Sequence, residues 1–357
     1  MNLKTFFLFI STLIVTGSAM GQNQCAESLI DAEGKYREGK LYDIPTILSE
    51  CLENGFTKEE KIRAYRLMTL SYLFLDYEKE ADETYLKLLG LSPEYKVNEE
   101  LDPMELINHH AKFTTKPIFY LNPLKIGVNF SSVNVTSEFS LSSPIDTQDK
   151  YSAQVGFNAG FGAEMVIYQN IHLVAEFLIT GETFHQQTTH WDFYIADIDY
   201  SFTKFQVPIM VKYNLFRGKL NPFVSAGVSP VYVSESSVKN LEGVYRVATD
   251  IADVYEEFPV QPRPEISTTA LRNQFNYSLL FGAGINYKIG LNYLVFEARY
   301  SNGMMNMVKT ENRWREDFSE GRALKFPSGH VDDDFKLNNV SIFVGFVKPL
   351  YKPRKIK

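Results

Sequence analysis

Three things are scarce in this 357-residue sequence: cysteine, net positive charge and long apolar runs. Only two cysteines occur, Cys25 and Cys51, and no histidine pair lies near them, so a zinc site is not expected. In an oxidising compartment the two would close into one disulfide; two buried free thiols are the alternative. A formal net charge of −7 excludes the broad basic field that nucleic-acid binding needs. Beyond the first residues, nothing approaches the ~20 unbroken apolar residues of a spanning helix. No nucleophile–base pattern stands out either, so the expectation is a non-enzyme without cofactor, metal or small-molecule substrate.

The one long apolar run opens the chain. Lys4 precedes Phe6 to Ile10 and Leu13 to Val15, and the small residues Gly17, Ser18, Ala19 and Gly21 follow. That order describes a secretory signal over residues 1–22. Residues 23–98 then show helical spacing. Leu29, Ala32 and Tyr36 share a face, Gly39 breaks the run, and Ile44, Ile47, Leu48, Cys51 and Leu52 resume it. Asn54-Gly55 ends that helix, and Thr57 with Glu60 reads as an N-cap and its capping-box partner. Tyr65, Tyr72, Ala81, Tyr85 and Pro93 fall where a tetratricopeptide repeat places its large, large, small, aromatic and terminating residues, so this stretch resembles that repeat. The resemblance implies a protein-binding surface; a compact helical spacer is the plainer reading. Residues 99–117 read as a connector with one short helix, in which His109 and His110 are expected to be exposed.

After Pro117 the period changes to two. From Ala153 to Ile167 every second residue is apolar, while Gln154, Gly156, Asn158, Gly160, Gly162 and Glu164 lie between them. The same alternation recurs near 124–130, 171–182, 204–215, 222–234, 274–288, 293–300 and 339–346, which gives eight strands. An apolar face rich in aromatic residues against a glycine-rich polar face suits a membrane barrel, apolar side outward. Three links are short, at 168–170, 216–220 and 289–292. The others are long and polar: Ser140 to Lys150, Thr188 to Asp197, Ser236 to Asn273 and Gly303 to Phe335. Such alternation predicts an up-and-down barrel over residues 118–350, with short periplasmic turns and long external loops. Both barrel ends, the helical domain and the basic tail 351–357 are then expected in the periplasm.

Three stretches carry a further signal: Lys125-Ile126-Gly127-Val128-Asn129-Phe130, Phe205-Gln206-Val207-Pro208, and Asn221 through Val228. On these, residues 118–350 resemble the PorT-like outer-membrane β-barrel proteins of the Bacteroidota. The resemblance implies a structural family more than a role, the namesake belonging to a protein-secretion machinery.

A barrel this narrow is filled by side chains. Its inward charges, Lys125, Glu164, Glu176, Glu182, Lys204, Lys212, Glu297 and Arg299, should therefore pair with one another. At the external rim, His185 and His190 with Asp192, Asp197 and Asp199 form the one place to look for chemistry. His330 with Asp332, Asp333 and Asp334 could hold a cation, although a solvated charge run is the commoner outcome. The loop Tyr245 to Pro264, stiffened by Pro259, Pro262 and Pro264, suits a contact surface. The sequence thus predicts an α + β multidomain protein: a helical domain before an eight-stranded antiparallel transmembrane barrel. Its expected role is a structural or assembly component in the outer membrane, touching lipid and a periplasmic or envelope protein; a surface receptor or adhesin is the alternative.

Overall fold

A computed structural model describes residues 24–139, 147–190, 194–216, 218–248, 255–260, 265–313 and 331–356. The expected signal segment 1–22 lies outside them. Two compact units result, one of residues 1–117 with 351–357 and the other of residues 118–350. The connector and the basic tail therefore fold with the helices and do not stand apart as separate segments.

The helical unit holds α1 (24–37), α2 (Ile44–Asn54), α3 (Lys58–Phe74), α4 (Glu78–Leu91) and α5 (Met104–Ala111), then the short strand β1 (Phe113–Thr114). Gly39 takes φ +78° at the first turn, a conformation that costs glycine little. The Thr57 hydroxyl accepts from the Glu60 amide, and the Glu60 carboxylate accepts from the Thr57 amide, so α3 starts on a complete capping box. Leu29, Ala32, Ile44, Leu48, Ala64 and Leu67 make one buried cluster, across which Cys25 and Cys51 are joined as a disulfide (S–S 2.04 Å). Leu70, Tyr85, Leu88, Leu89, Leu106 and Phe113 make a second, so the connector helix supplies core. Among the described residues, no helix is long and apolar enough to cross a membrane.

The second unit is a single antiparallel sheet of twelve strand segments: β2 (Phe119–Ser137), β3 (Thr147–Ala153), β4 (Val155–Tyr168), β5 (Ile171–His190), β6 (Tyr194–Gln206), β7 (Ile209–Asn214), β8 (Leu220–Ala248), β9 (Tyr255–Val260), β10 (Ile266–Ser267), β11 (Phe275–Ile289), β12 (Asn292–Gly303) and β13 (Asp334–Leu350). Hydrogen-bonded neighbours run β8–β11–β12–β13–β2–β4–β5, and β5 meets β8 again through β6 and β7. Twelve segments replace the expected eight for local reasons. Val207-Pro208 separates β6 from β7, because proline cannot donate to the ladder. Gln154 separates β3 from β4, and β9 and β10 lie in what reads as loop. The expected loops 188–197 and 236–273 are largely strand: β5 and β6 run on to His190 and Tyr194, and β8 reaches Ala248 against β6 and β9. Their outward residues are mostly polar, Thr183, His185 and Gln187 on β5 and Asp197, Asp199 and Ser201 on β6, so the apolar outer face that marked the other strands is missing there. A last strand, β14 (Arg354–Lys355), belongs to the helical unit and pairs antiparallel with β1.

Side-chain direction follows the pleat. On β13, Val340, Ile342, Val344 and Phe346 are exposed, while Asn339, Ser341, Phe343 and Val347 are buried. In register, Ile126 stands beside Ala159, then Ile179, then Phe205, and on its other side beside Val344, then Phe296, then Ile285. An unbroken apolar row thus crosses seven strands. On β2 the exposed set runs from Phe119 to Phe130 and gives way to Ser132 and Asn134. At ~3.3 Å per residue and a tilt of ~40°, those residues span about 30 Å, the thickness of a hydrocarbon core. At its upper edge, Ile179 on β5 is followed outward by Thr183, His185 and Gln187. Replacing Ile342, which is 53% exposed in this belt, by Lys should destabilise the barrel in lipid by about 2–4 kcal/mol, read by denaturant unfolding in vesicles. Asn338→Lys, above the belt, should cost far less.

Candidate functional site

All eight inward charges of the barrel unit are buried, and the structure sorts them into three groups. Lys125 of β2 reaches Glu176 of β5 and Glu297 of β12, each at 2.6 Å. Arg299 spans the same two carboxylates at 2.8 Å. Two cations and two anions thus form a neutral square tying β2, β5 and β12. Lys125 and Arg299 also lie over the Phe343 ring, at 4.7 and 4.9 Å. Nearer the short turns, Lys212 bonds Glu164 at 2.9 Å and stands 4.2 Å over the Phe223 ring. Nearer the opposite end, Lys204 bonds Glu182 at 2.5 Å. These groupings follow from burial: an unpaired charge there would bear its whole desolvation cost.

Glycines give the square its room. A Cβ on Gly282 would stand 2.5 Å from Ser225 Oγ and 2.9 Å from Glu297 Oε1, and one on Gly162 would stand 2.9 Å from Glu176 Cγ. A small space beside the square, lined by Asn122, Lys125, Glu164, Glu176, Lys212 and Ser225 among others, has room for about one water molecule. Towards the end opposite the short turns, Phe184, Tyr200, Phe202, Val233, Phe335 and Leu337 fill the interior as an apolar plug. The described interior is packed, not open.

Several members were not foreseen. His172 Nε2 lies 3.0 Å from the Asn214 amide nitrogen, and its Nδ1 lies 3.3 Å from Glu164 Oε2. Arg272, fully buried, bonds Asp332 at 3.0 Å beside the rings of Tyr200, Phe202 and Phe335. It lies in an expected loop, where no periodic signal could reveal it.

The three aspartates expected as a solvated run or weak cation site each have protein partners. Asp332 takes Arg272 and Tyr200. Asp333 accepts from the Phe139 amide at 2.7 Å and the Tyr151 hydroxyl at 2.9 Å. Asp334 takes Arg313, and Asn306 at 2.6 Å. They staple the barrel mouth. At the rim, His185 spends Nδ1 on Asp199 (2.9 Å) and Nε2 on Asp197 (3.2 Å), leaving no ring nitrogen to activate a hydroxyl. His190 stacks on Tyr194. Asp192, His330, Pro262 and Pro264 lie outside the described residues, and Pro259 sits on β9 opposite Val244. Among the described residues, no group of three His, Cys, Asp or Glu side chains could hold a metal.

In the helical unit, Tyr85, Ala81 and Pro93 are buried, and Tyr65 and Tyr72 are half-buried. His109 and His110, expected to be exposed, are not. His109 is 3% exposed between Tyr85 and Phe113, and His110 Nδ1 lies 2.5 Å from the Tyr85 hydroxyl. Helix α5 turns that face inward to complete the second cluster, which the short pattern around it could not show. Burial holds both imidazoles below their ordinary value; Lys112 and Lys355 add to this at His109, and Asp82 opposes it.

The chain belongs to the outer membrane protein beta-barrel domain family, whose model matches residues 114–309, more than half of its length. It is an outer-membrane β-barrel protein with a helical region in front. No curated protein sequence matches it. Among solved structures, the surface protein NspA of Neisseria is similar over 65% of this chain and 97% of its own, at 11% identity and a TM-score of 0.30. OprG of Pseudomonas aeruginosa gives 68% and 98%, 8% identity and 0.34. The outer-membrane protease OmpT of Escherichia coli gives 67% and 98%, 10% identity and 0.35. None of these bears on function at such levels.

Arg299→Met would leave Glu176 and Glu297 sharing one cation, and should destabilise the barrel by about 3–5 kcal/mol, read as a lower unfolding midpoint in lipid. For His109 and His110, a folded pKa below the unfolded ~6.5 means the unfolded chain binds more protons as pH falls. Their contribution is complete above pH ~6.5 and is lost below it, through the folded values. The helical melting transition at 222 nm should therefore drop between pH 7.5 and 5.5, and drop less in His110→Gln.

Proposed function

We propose that the protein is a non-enzymatic outer-membrane anchor that holds a periplasmic, tetratricopeptide-like helical unit as a protein-binding adaptor. It would serve as a structural or assembly component of an envelope or secretion complex. The twelve segments are read as eight staves of one ring: β3 with β4 and β6 with β7 each make one stave, and β9 and β10 extend the external end. One observation carries the adaptor reading. The barrel unit begins at Ile118 and ends at Leu350, residues that lie near the short-turn end (Phe119 pairs Met165 and Leu350, and Tyr168 pairs Ile171). The chain on both sides folds into the helical unit, so that unit is tethered twice at the end that family geometry assigns to the periplasm.

The packed interior and its apolar plug speak against a porin, and the resemblance to PorT-like proteins supports an assembly role. A surface receptor remains the second reading. Its support is the β8–β9 hairpin, which carries Tyr245, Val247 and Phe258 exposed beyond the belt.

The test uses the full chain in cells, with a photo-crosslinking residue in place of Tyr42, which is 70% exposed on the helical unit, or of Phe258. A discrete protein adduct from position 42 and none from position 258 is expected. An adduct from 258 alone would overturn the adaptor reading in favour of the receptor.

A further inference from the structure

The helical unit contains one feature foreign to a stack of helices: a strand edge with a guest seated on it. Phe113 and Thr114 of β1 pair with Lys355 and Arg354, and the Ile356 amide donates to the Lys112 carbonyl at 2.7 Å. Beside this short ladder, Lys355 Nζ lies 2.5 Å from Asp82 Oδ2 on α4, and the Tyr351 hydroxyl lies 3.4 Å from Glu94 Oε1. Pro353, which has no amide hydrogen to pair, precedes the ladder.

The host and the guest are complementary. Residues 24–117 carry nineteen Asp and Glu against twelve Lys and Arg, whereas residues 351–357 carry four cations and no acid. The floor of the site is buried yet incompletely satisfied. His109 Nε2 lies 3.5 Å from Asp82 Oδ1, and neither atom has a hydrogen-bond partner among the described residues. The guest is also lightly held. Its ladder is short, and its ion pair is partly open to water, where such pairs hold weakly. Main-chain pairing plus one charged side chain is how strand addition recognises an extended peptide.

We propose that the β1 edge and Asp82 form a docking groove for a basic, extended segment of an envelope partner, with a lysine directed at Asp82. The chain's own residues 351–356 occupy this groove in cis and must leave before the partner binds. The proposal deepens the adaptor reading and rests on it for the partner, while the groove itself is tested on purified protein.

The probe is a fluorescent heptapeptide, Tyr-Lys-Pro-Arg-Lys-Ile-Lys, with binding followed by anisotropy. It is added to the full chain in detergent and to the chain ended after Leu350. A tethered guest competes at high effective concentration, so the shortened chain should bind the peptide at least about tenfold more tightly than the full chain. Asp82→Asn in the shortened chain should remove most of that binding. Should the shortened chain not fold, Arg354→Glu with Lys355→Glu in the full chain releases the guest with the backbone retained, and the same gain is expected. Equal binding to full and released chains, or no binding to a released chain with intact helical signal, would overturn the groove. Loss of the groove with a crosslinked adduct still formed at position 42 leaves the adaptor reading standing; peptide binding without any adduct supports the groove and removes the adaptor.

Discussion

In hydrocarbon there is no water to accept a stray hydrogen bond or to solvate a charge, so every polar group of a membrane-spanning sheet must find its partner within the protein. That constraint organises the barrel unit. The ladders pair the backbone of each long strand with a neighbour on both sides, apart from the segments added at the external end. The pleat then decides the side chains: one face meets acyl chains and must be apolar, and the other is narrow and must be filled. The square of Lys125, Glu176, Glu297 and Arg299 meets the second demand. It is neutral in sum, drawn from three strands and roofed by Phe343. Replacing such a square by well-packed apolar groups could be neutral for stability, so its presence is better explained by register. The four groups meet in the observed alignment of β2, β5 and β12, and a slip of any of these strands would part them.

Much of this was legible in the residues. Period two is a geometric consequence of the strand, so Leu124, Ile126, Val128 and Phe130 announced a face without any partner being known. Six of the eight inward charges were legible for the same reason, since each sits between two apolar neighbours; Glu182 and Lys204 were placed by the parity of their strands. Who pairs with whom was not, because Lys125 and Glu297 are 172 residues apart and their meeting depends on the pairing of the strands between them. Alternation also fails where both faces are wet or both are packed. The upper parts of β5 and β6 carry Thr, Gln, Asp and Ser on the outside; on β6 the apolar residues Ala196, Ile198, Tyr200 and Phe202 point inward instead, so the outer apolar face ends although the ladder continues.

The helical unit shows the converse. Capping chemistry is local, and Thr57 with Glu60 revealed the start of α3 from two residues. Burial is not local. His109 and His110 look like exposed residues of a short polar helix until Tyr85 and Phe113 are placed beside them, and Asp82 looks like any surface acid until Lys355 returns across 273 positions to meet it. Arg272 and Asp332 belong to the same class. Sites made by long-range return of the chain leave no short-range mark.

The account stands or falls on what the exposed apolar faces touch. Spin labels placed singly from Asn339 to Phe346 on β13, with the protein in phospholipid vesicles, read this directly through collision with oxygen, which concentrates in lipid, and with a water-soluble nickel complex. Positions 340, 342, 344 and 346 should favour oxygen, alternating with protected neighbours at 341, 343 and 345. Free access of the nickel complex to the even positions, or no alternation along the strand, would contradict it.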